Sequence, residues 1–429
     1  MALAPTTFGR RAFLAGSAAT FAALPHAARA QARTLNAFGH RVHQTVATTG
    51  PGGDATAAWR AQAGFDISWV TLGDVNAIQE RLLREASLGE TTLDLVYLLN
   101  GRAVPRNLRL FEPLGAFQSE APIEDFDDIS AGLVAPMRVD GALHAIPMRH
   151  ATNGLVWNEA IFEERGIKAP PATFEEFVDV AKRLTFTRAD GTPVVGLAFT
   201  AVFASNFLSI ARAFDGDFMT GDMRVVADQP SMVKPLEALA DLFKAGALPR
   251  NFAAVNNEEV TTWMQQGRAA MTINPYARLV SYNDPAQSRY PGKIKGGAMP
   301  MTAALVGRTP YASTTEYWAF AIPRNSRNKR AAWDLARALS SRAGTLAMAR
   351  NGNGPVRVST YSEPSFAGTL PHAAAEALAL KTARIHLPAF DNQARAHDVF
   401  VEECQAAVLG MKPAERAMAD ATRRVRAML

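Results

Sequence analysis

Short apolar runs alternate with amphipathic stretches along most of the chain, and this pattern predicts alternating strands and helices. Residues 93–99 are almost entirely apolar, which is typical of a strand covered on both faces. After Asp74, a residue type that caps helices, Ile78 and Leu82 recur at helical spacing. Such alternation favours a parallel α/β sheet, in which ligands bind at the carboxyl ends of the strands.

Residues 139–187 carry the densest set of local signals. An Asp-Gly pair at their start indicates a tight turn, because glycine supplies the positive φ that such turns need. Two short apolar segments, 142–147 and 154–157, are predicted as separate strands. Farther on, Thr173 and Glu176 form a capping box, in which each side chain satisfies a backbone donor of the first helical turn.

The order of these signals resembles that of one family, the extracellular solute-binding proteins of ABC importers, of the sugar-binding (maltose-binding-like, family 1) type. The features shared with it are the sequence DGALHAIP, the pair Trp157-Asn158 and the sequence GIKAPPATFEE. The resemblance implies a periplasmic-binding-protein-like α/β fold: two α/β lobes with a ligand cleft between them and three interlobe crossings. It places those crossings near His150, Met271 and Phe320.

The length of the chain agrees with two lobes, because 429 residues exceed what one hydrophobic core usually organises. We expect residues 1–30 to be a twin-arginine signal peptide. The N-terminal lobe is then predicted to comprise 31–147 plus 272–320. The C-terminal lobe is predicted to comprise 148–271 plus 321–429.

The predicted leader has the features of an export signal. Arg10 and Arg11 open a twin-arginine pattern, a short apolar run follows, and residues 28–30 read Ala-Arg-Ala, a cleavage site. We therefore expect a soluble periplasmic protein that begins at Gln31. Removing the leader's three arginines lowers the net charge from +5 to about +2, so the sequence predicts no nucleic-acid partner.

The sequence lacks the common signatures of catalysis and of cofactor binding. It contains no G-x-S-x-G, Walker loop, G-x-G-x-x-G, C-x-x-C or H-E-x-x-H motif. His40 and His43 have a metal-like spacing, but in an extended segment they would point to opposite faces. Cys404 lies among apolar residues in a helical pattern and is predicted to be buried. We therefore predict a binding protein that is not an enzyme and uses no cofactor or metal.

A cleft that binds a small polar solute needs aromatic faces and planar polar groups. The candidates are aromatic and polar residues at predicted strand ends, loops and crossings: His40, Asn100, Arg102, Arg149, His150, Phe203, Asn206, Asp215, Asn274, Tyr276, Glu316, Asn353 and Phe390. The resemblance places Arg149, His150 and Tyr276 at the crossings. The two phenylalanines are also typical of core positions, and the Asp and Asn of glycine-rich loops also suit tight turns.

The candidates include no tryptophan, which weakens the case for a long oligosaccharide. A mono- or disaccharide, a polyol, or an anionic solute paired to Arg102 or Arg149 fits the sequence. The resemblance implies a monomer that delivers its solute to the transmembrane subunits of an ABC permease with an associated ATPase. Two alternatives stay open: an exported hydrolase-like enzyme, and the same fold acting as a sensor partner of a membrane receptor.

Overall fold

The computed structural model describes residues 33–429, so the predicted leader and the predicted start at Gln31 lie outside the described residues. Within that range the strands are β1 Arg33–His40, β2 Phe65–Leu72, β3 Leu95–Leu99, β4 Arg138–Val139, β5 Ala142–Leu143, β6 Ala145–Asn158, β7 Phe186–Thr187, β8 Pro193–Leu197, β9 Ala269–Pro275, β10 Ile294–Gly297, β11 Thr314–Ala321 and β12 Arg384–Ile385.

The helices of the same range frequently follow a strand. They are α1 Arg41–Thr48, α2 Ala57–Ala63, α3 Val75–Ala86, α4 Pro105–Leu108, α5 Gly115–Glu120, α6 Ala131–Val134, α7 Glu159–Glu164, α8 Phe174–Arg183, α9 Ala204–Ala211, α10 Pro230–Lys244, α11 Asn257–Gln266, α12 Leu279–Tyr282, α13 Lys329–Ser340, α14 Arg342–Arg350, α15 Pro364–Ala367, α16 Ala373–Thr382, α17 Gln393–Val408 and α18 Ala414–Arg426. The alternation predicted from the sequence is therefore present.

Ten of these strands join in one mixed sheet. Its order is β2-β1-β3-β11-β6-β9-β8-β7, with β10 paired to β6 and β12 paired to β11. On one side, β1 runs parallel to β2 and β3, while β11 is antiparallel to β3. On the other side, β8 and β9 are parallel, and β9 is antiparallel to β6. Strand β6 thus stands between the two halves of the sheet.

Strand β6 passes from one half of the sheet to the other without a break. Residues 145–152 pair with β11, whereas residues 153–158 pair with β9 and β10. The prediction of two separate strands here was wrong, because polar residues in the middle suggested a loop. Those polar side chains are buried instead: His150, Thr152 and Asn153 are each at most 4% exposed.

Two large hydrophobic cores lie on the two halves of the sheet. The first contains apolar side chains from residues 35–148 and again from 317–380. The second contains side chains from residues 155–273, Met299 and residues 387–425. Since apolar burial drives folding, two separate cores indicate two units joined by the strands between them.

The cores differ in membership from the predicted division of the chain. Residues 317–380 pack in the first core, although most of them were assigned to the second lobe. Strand β9, predicted as a crossing, stays in the second half because it pairs with β8 as well as β6. The chain therefore passes between the cores within β6, between Met299 and Tyr317, and between Leu380 and Leu387.

Local signals predicted the helix starts well. Asp74 caps α3 by accepting a hydrogen bond from the backbone N–H of Ala77 at 2.7 Å. Thr173 caps α8 by accepting from the backbone N–H of Glu176, whose carboxylate accepts from the N–H of Ala172 rather than of Thr173. Cys404 is buried within α17, as predicted. These contacts depend on neighbours in sequence, which is why the sequence predicts them.

A tight contact holds the loop after α14 against β6. The backbone N–H of His150 donates to the carbonyl of Gly354 at 3.1 Å, and a Cβ on Gly354 would overlap the carbonyl oxygen of His150. We predict that Gly354→Ala destabilises the protein by about 1–3 kcal/mol, because two backbone segments would have to separate. The free energy of unfolding in urea measures this.

The matched control is Gly221→Ala, at an exposed position where an added Cβ meets no atom within 4 Å. This control should stay within about 0.5 kcal/mol of the parent protein. Equal stabilities of the two variants would show that the backbone contact at Gly354 is unimportant.

Candidate ligand-binding site

A polar cavity of about 190 Å³ lies beside the strands that join the two cores. It is lined by Ala151 and Asn153 of β6, Phe203, Ser205 and Asn206 at the start of α9, Asn257 of α11, Asn274 and Pro275 at the end of β9, Arg278 after β9, and Thr314, Thr315 and Glu316 of β11. Amide and hydroxyl groups dominate this lining, which suits a ligand with several hydroxyl groups.

The cavity gathers more of the predicted residues than four larger cavities of residues 33–429. It brings together Phe203, Asn206, Asn274 and Glu316 from three separate parts of the chain. Cavities of about 460, 470 and 590 Å³ contain none of the thirteen candidates, and one of about 330 Å³ contains only Asn353. Volume alone would therefore have selected a different site.

Hydrogen bonds fix the amide side chains of the cavity. Asn153 Nδ2 donates to Asn206 Oδ1 at 3.2 Å and to Ser209 Oγ at 3.1 Å. Asn206 in turn donates to a backbone carbonyl at 2.9 Å, and Asn274 Nδ2 donates to Tyr282 Oη at 2.8 Å. Because these side chains are held in place, a ligand does not have to order them on binding.

The acidic group of the cavity is Glu316. Its side chain is 46% exposed, and its Oε1 atom lies 3.6 Å from Nδ1 of His386. Enclosure by protein raises the pKa of Glu316, while burial lowers the pKa of His386 to about 3. His386 is therefore neutral at physiological pH and does not balance the charge of Glu316.

Strands β6 and β11, which contribute residues to the cavity, continue past its lining. Arg149 pairs with Trp318 across these strands, and Ala151 pairs with Glu316. Since alternate residues of a strand share a face, Arg149, Ala151 and Asn153 point to the same side of the sheet. Arg149 and Trp318 thus extend the surface that begins with Glu316.

Three candidates from the first half of the sheet lie outside the cavity and bond within the protein. His40 caps α1, and its other ring nitrogen lies 3.0 Å from a backbone carbonyl oxygen. Asn100 accepts from the backbone N–H of Tyr317 at 2.9 Å. Arg102 donates to Asn76 at 3.3 Å. Each of these side chains secures a strand end or a turn.

The spacing of His40 and His43 was interpreted for an extended segment, but His43 lies in a helix. The two rings stand 6.2 Å apart, and His43 stacks on Tyr97 at 4.2 Å. Residues 33–429 contain no group of three or more His, Cys, Asp or Glu side chains placed to hold a metal ion.

Three further candidates are buried behind the sheet rather than in the cavity. His150 Nε2 lies 2.8 Å from Tyr361 Oη and 3.9 Å from a carboxylate oxygen of Glu376. Tyr276 stacks on the ring of His372, which lies 3.8 Å from the same carboxylate. Asn353, the third, donates to a backbone carbonyl at 2.8 Å. This buried polar cluster supports β6 where it passes between the cores.

Of the last two candidates, Asp215 is exposed and Phe390 is half-buried. Asp215 has a left-handed backbone with φ of 55°, and its Oδ1 atom lies 3.6 Å from Nη2 of Arg384. Phe390 packs against the second core. Asp215 therefore lies in a turn and Phe390 packs as a core residue, as the alternative interpretations of these two residues predicted.

Several residues of the cavity were missed in the sequence. Asn153 and Thr315 lie inside strands, Asn257 follows the helix-capping Asn256, and Arg278 lies two residues after the candidate Tyr276. The stretch Ser-Thr-Thr-Glu before Tyr317 was a usable signal, because four consecutive polar residues at the start of an otherwise apolar strand need polar neighbours. The other positions depend on which distant segments meet.

The family model for bacterial extracellular solute-binding proteins matches residues 52–345 of this chain. The chain belongs to this family. None of the helices between residues 33 and 429 combines the length and the apolar character that crossing a membrane requires. The α/β architecture, with a cleft between two lobes, agrees with the fold that the sequence predicted.

The chain is similar in sequence to named solute-binding proteins and in fold to solved ones. It is 27% identical over 228 residues to an erythritol/L-threitol-binding protein of Mycolicibacterium smegmatis, and this match spans 49% of the chain and 46% of the relative. The chain thus spans about half the length of that relative. Maltose-bound MalE3 of T. maritima superposes with a TM-score of 0.76 at 22% identity, covering 93% of this chain and all of that one.

A solute-binding protein of Agrobacterium radiobacter K84, solved with ribitol, superposes with a TM-score of 0.74 at 19% identity. That superposition covers 92% of this chain and 99% of the other. At these identities the structural likeness establishes the fold.

The buried cluster behind β6 gives a prediction for pH dependence. Burial raises the pKa of Glu376 from 4.5 to about 8, so the folded state binds a proton that the unfolded state releases above pH 4.5. The resulting stabilisation is complete below pH 4.5 and is lost as the pH rises toward 8. We predict that Glu376→Gln gains stability relative to the parent by roughly 1 kcal/mol or more between pH 5 and pH 8.

Urea unfolding at pH 5, 6, 7 and 8 measures the difference. Buried histidines outside this cluster, such as His43 and His386, are the same in both proteins, so their titration cancels in the comparison. Glu237→Gln, on the exposed face of α10, serves as the control and should show a constant difference. A constant difference for Glu376→Gln as well would contradict the prediction.

Proposed function

We propose that this protein is the solute-binding component of an ABC importer and captures a small sugar or polyol in the cavity beside Glu316. The observation that carries this proposal is the cavity's lining of fixed amides and hydroxyls around one carboxylate. Such groups pair with hydroxyl groups through donors and acceptors held at set positions. Membership of a solute-binding family supports binding without catalysis, and the protein makes or breaks no bond in this role.

The size of the cavity favours a small solute. Its volume of about 190 Å³ is below the roughly 300–1,000 Å³ of common ligand pockets. A single sugar ring or a short polyol suits this space better than a long oligosaccharide. The names of the relatives agree, since one is an erythritol/L-threitol-binding protein and another was solved with ribitol.

We assign roles to the predicted residues that line the cavity. Phe203, 41% exposed, offers its face to the apolar side of a sugar or polyol. Asn206 and Asn274 present fixed amides, and Glu316 accepts hydrogen bonds from hydroxyl groups. Of the remaining predicted residues, Arg149 lies on the same face of β6 beside the cavity, Phe390 packs against the second core, and the others support strands, turns or the buried cluster.

Closure of the lobes on the solute follows from the two cores. We propose one lobe of residues 33–149 plus 314–383 and another of 153–301 plus 386–429, with the strands between them acting as hinges. An ion pair between Arg106 of the first lobe and Asp391 of the second, 3.1 Å apart, supports contact across the cleft. Both side chains are exposed, so this contact contributes little energy and allows opening.

The setting of the protein is also part of the proposal. A monomer in the periplasm, exported through a twin-arginine leader, would deliver solute to the transmembrane subunits of a permease whose ATPase drives uptake. The family and the sequence of residues 1–30 support this setting.

A thermal-shift screen of the purified protein against sugars, polyols and sugar acids tests the function. A solute at a hundredfold its dissociation constant should stabilise the folded state by about 2.7 kcal/mol. Binding of at least one such solute supports the proposal. Turnover of a chromogenic glycoside with no stabilisation by any solute would contradict it and favour the enzyme alternative.

The role of Phe203 gives a prediction for the solute found in that screen. We expect Phe203→Ala to weaken its affinity roughly two- to tenfold, because stacking contributes about 0.5–1.5 kcal/mol. Titration calorimetry measures the affinity. The neighbouring Val202, 44% exposed and outside the cavity lining, provides the control Val202→Ala, which should leave affinity unchanged. Equal affinities of both variants would remove Phe203 from the site.

A further inference from the structure

Arg149 lies on β6 next to the proposed solute site, two residues before Ala151 of the cavity lining. It shares a face of β6 with Ala151 and Asn153, both of which line the cavity. Across the sheet it pairs with Trp318, two residues along β11 from Glu316. A solute that bound Glu316 and extended along these two strands would reach Arg149 next.

The guanidinium of Arg149 has no counter-charge within the described chain. Its Nη1 atom is buried and has no hydrogen-bond partner, and no carboxylate of residues 33–429 forms an ion pair with it. Burial lowers the pKa of Arg149, and together burial and Arg149 hold the pKa of His43 far below its usual value. A buried charge left without a partner is costly, so this arrangement favours a ligand that supplies one.

The balance of charge along the cleft also favours a negatively charged ligand. Arg278 also lines the cavity and has no ion-pair partner among residues 33–429. Glu316 is the acidic residue of the lining, and its pKa is raised, while the adjacent His386 is neutral. Two guanidinium groups against one carboxylate leave the cleft with a net positive charge.

We propose that the solute is a sugar acid: a small polyhydroxylated molecule whose carboxylate pairs with Arg149 while its hydroxyl groups bind the amide-lined cavity. This inference rests on the proposed function and narrows its substrate class. A carboxylate matches the planar fork of a guanidinium and supplies one negative charge, which equals the excess in the cleft. A phosphate dianion would exceed that charge, and a neutral polyol would leave it unbalanced.

Matched pairs of solutes test the inference by titration calorimetry on the purified protein. The pairs are ribitol with D-ribonate, D-mannitol with D-mannonate, and D-galactose with D-galacturonate, and glucose 6-phosphate represents the phosphates. We expect one sugar acid to bind at least tenfold more tightly than its neutral partner. Raising the ionic strength should weaken binding of the acid more than binding of its neutral partner.

Variants of Arg149 locate the effect. Arg149→Met should reduce the preference for the acid at least tenfold, and Arg149→Lys should retain part of it because the charge remains. Arg308→Met, at an exposed position away from the cavity, is the control for charge removal and should keep the preference. Should Arg149→Met fail to fold, the solute pairs and the salt dependence of the parent protein still decide the question.

The outcomes separate this inference from the proposed function. Tight binding of a neutral sugar or polyol, with weaker binding of its acid, would overturn the inference and keep the function. Tighter binding of glucose 6-phosphate than of every sugar acid would also overturn it. An acid preference that Arg149→Met leaves unchanged would show that another group supplies the charge. No binding of any of these solutes would count against the proposed function itself.

Discussion

Backbone pairing along β6, with one register irregularity at Met148, is the constraint on which the rest of the structure depends. The strand is hydrogen-bonded to β11 on its first part and to β9 and β10 on its second, so its backbone groups are satisfied as it leaves one core and enters the other. A loop at this place would bury unpaired backbone groups, which is costly. The strand therefore fixes the two halves at a common border, and the cavity forms at that border.

Polar side chains on the two faces of this strand have different surroundings. Behind the sheet, His150 is enclosed by Tyr361 and Glu376, and burial keeps the histidine neutral and favours the protonated carboxyl. On the cavity face, Arg149 keeps its charge without an acidic partner, while Asn153 is fixed by its neighbours. Behind β6, both ring nitrogens of His150 have hydrogen-bond partners within the protein, whereas the cavity face leaves groups for a solute.

Electrostatics distinguish the cleft more clearly than its shape does. Larger cavities exist on the surface, but the small cavity beside Glu316 combines fixed amides with charges that lack partners. Neutral histidines, among them His43 and His386, surround these charges because burial lowers their pKa values. The charges of the cleft are therefore poorly balanced by other protein groups. This favours binding of a charged or strongly polar solute in place of water.

The sequence by itself determined the local structure and the class of protein. Alternating apolar and amphipathic runs predicted the α/β fold, and the caps at Asp74 and Thr173 formed because their partners lie within a few residues. The motif-rich stretch of residues 139–187 indicated the family. The sequence also placed Phe203, Asn206, Asn274 and Glu316 among the candidates, since each lies near the end of an element or in a polar run.

Tertiary structure alone decided which of those candidates share a site and how the chain divides. His150 and Tyr276 were predicted at crossings, yet the alternation of β6 and the stacking of Tyr276 on His372 place both behind the sheet. Residues 317–380 joined the first core through pairing of β11 with β3, a contact between segments more than two hundred residues apart. The local sequence pattern does not specify which distant segment a strand or helix packs against. The hydrophobic effect is non-directional, so an apolar face is stabilised by burial in either core.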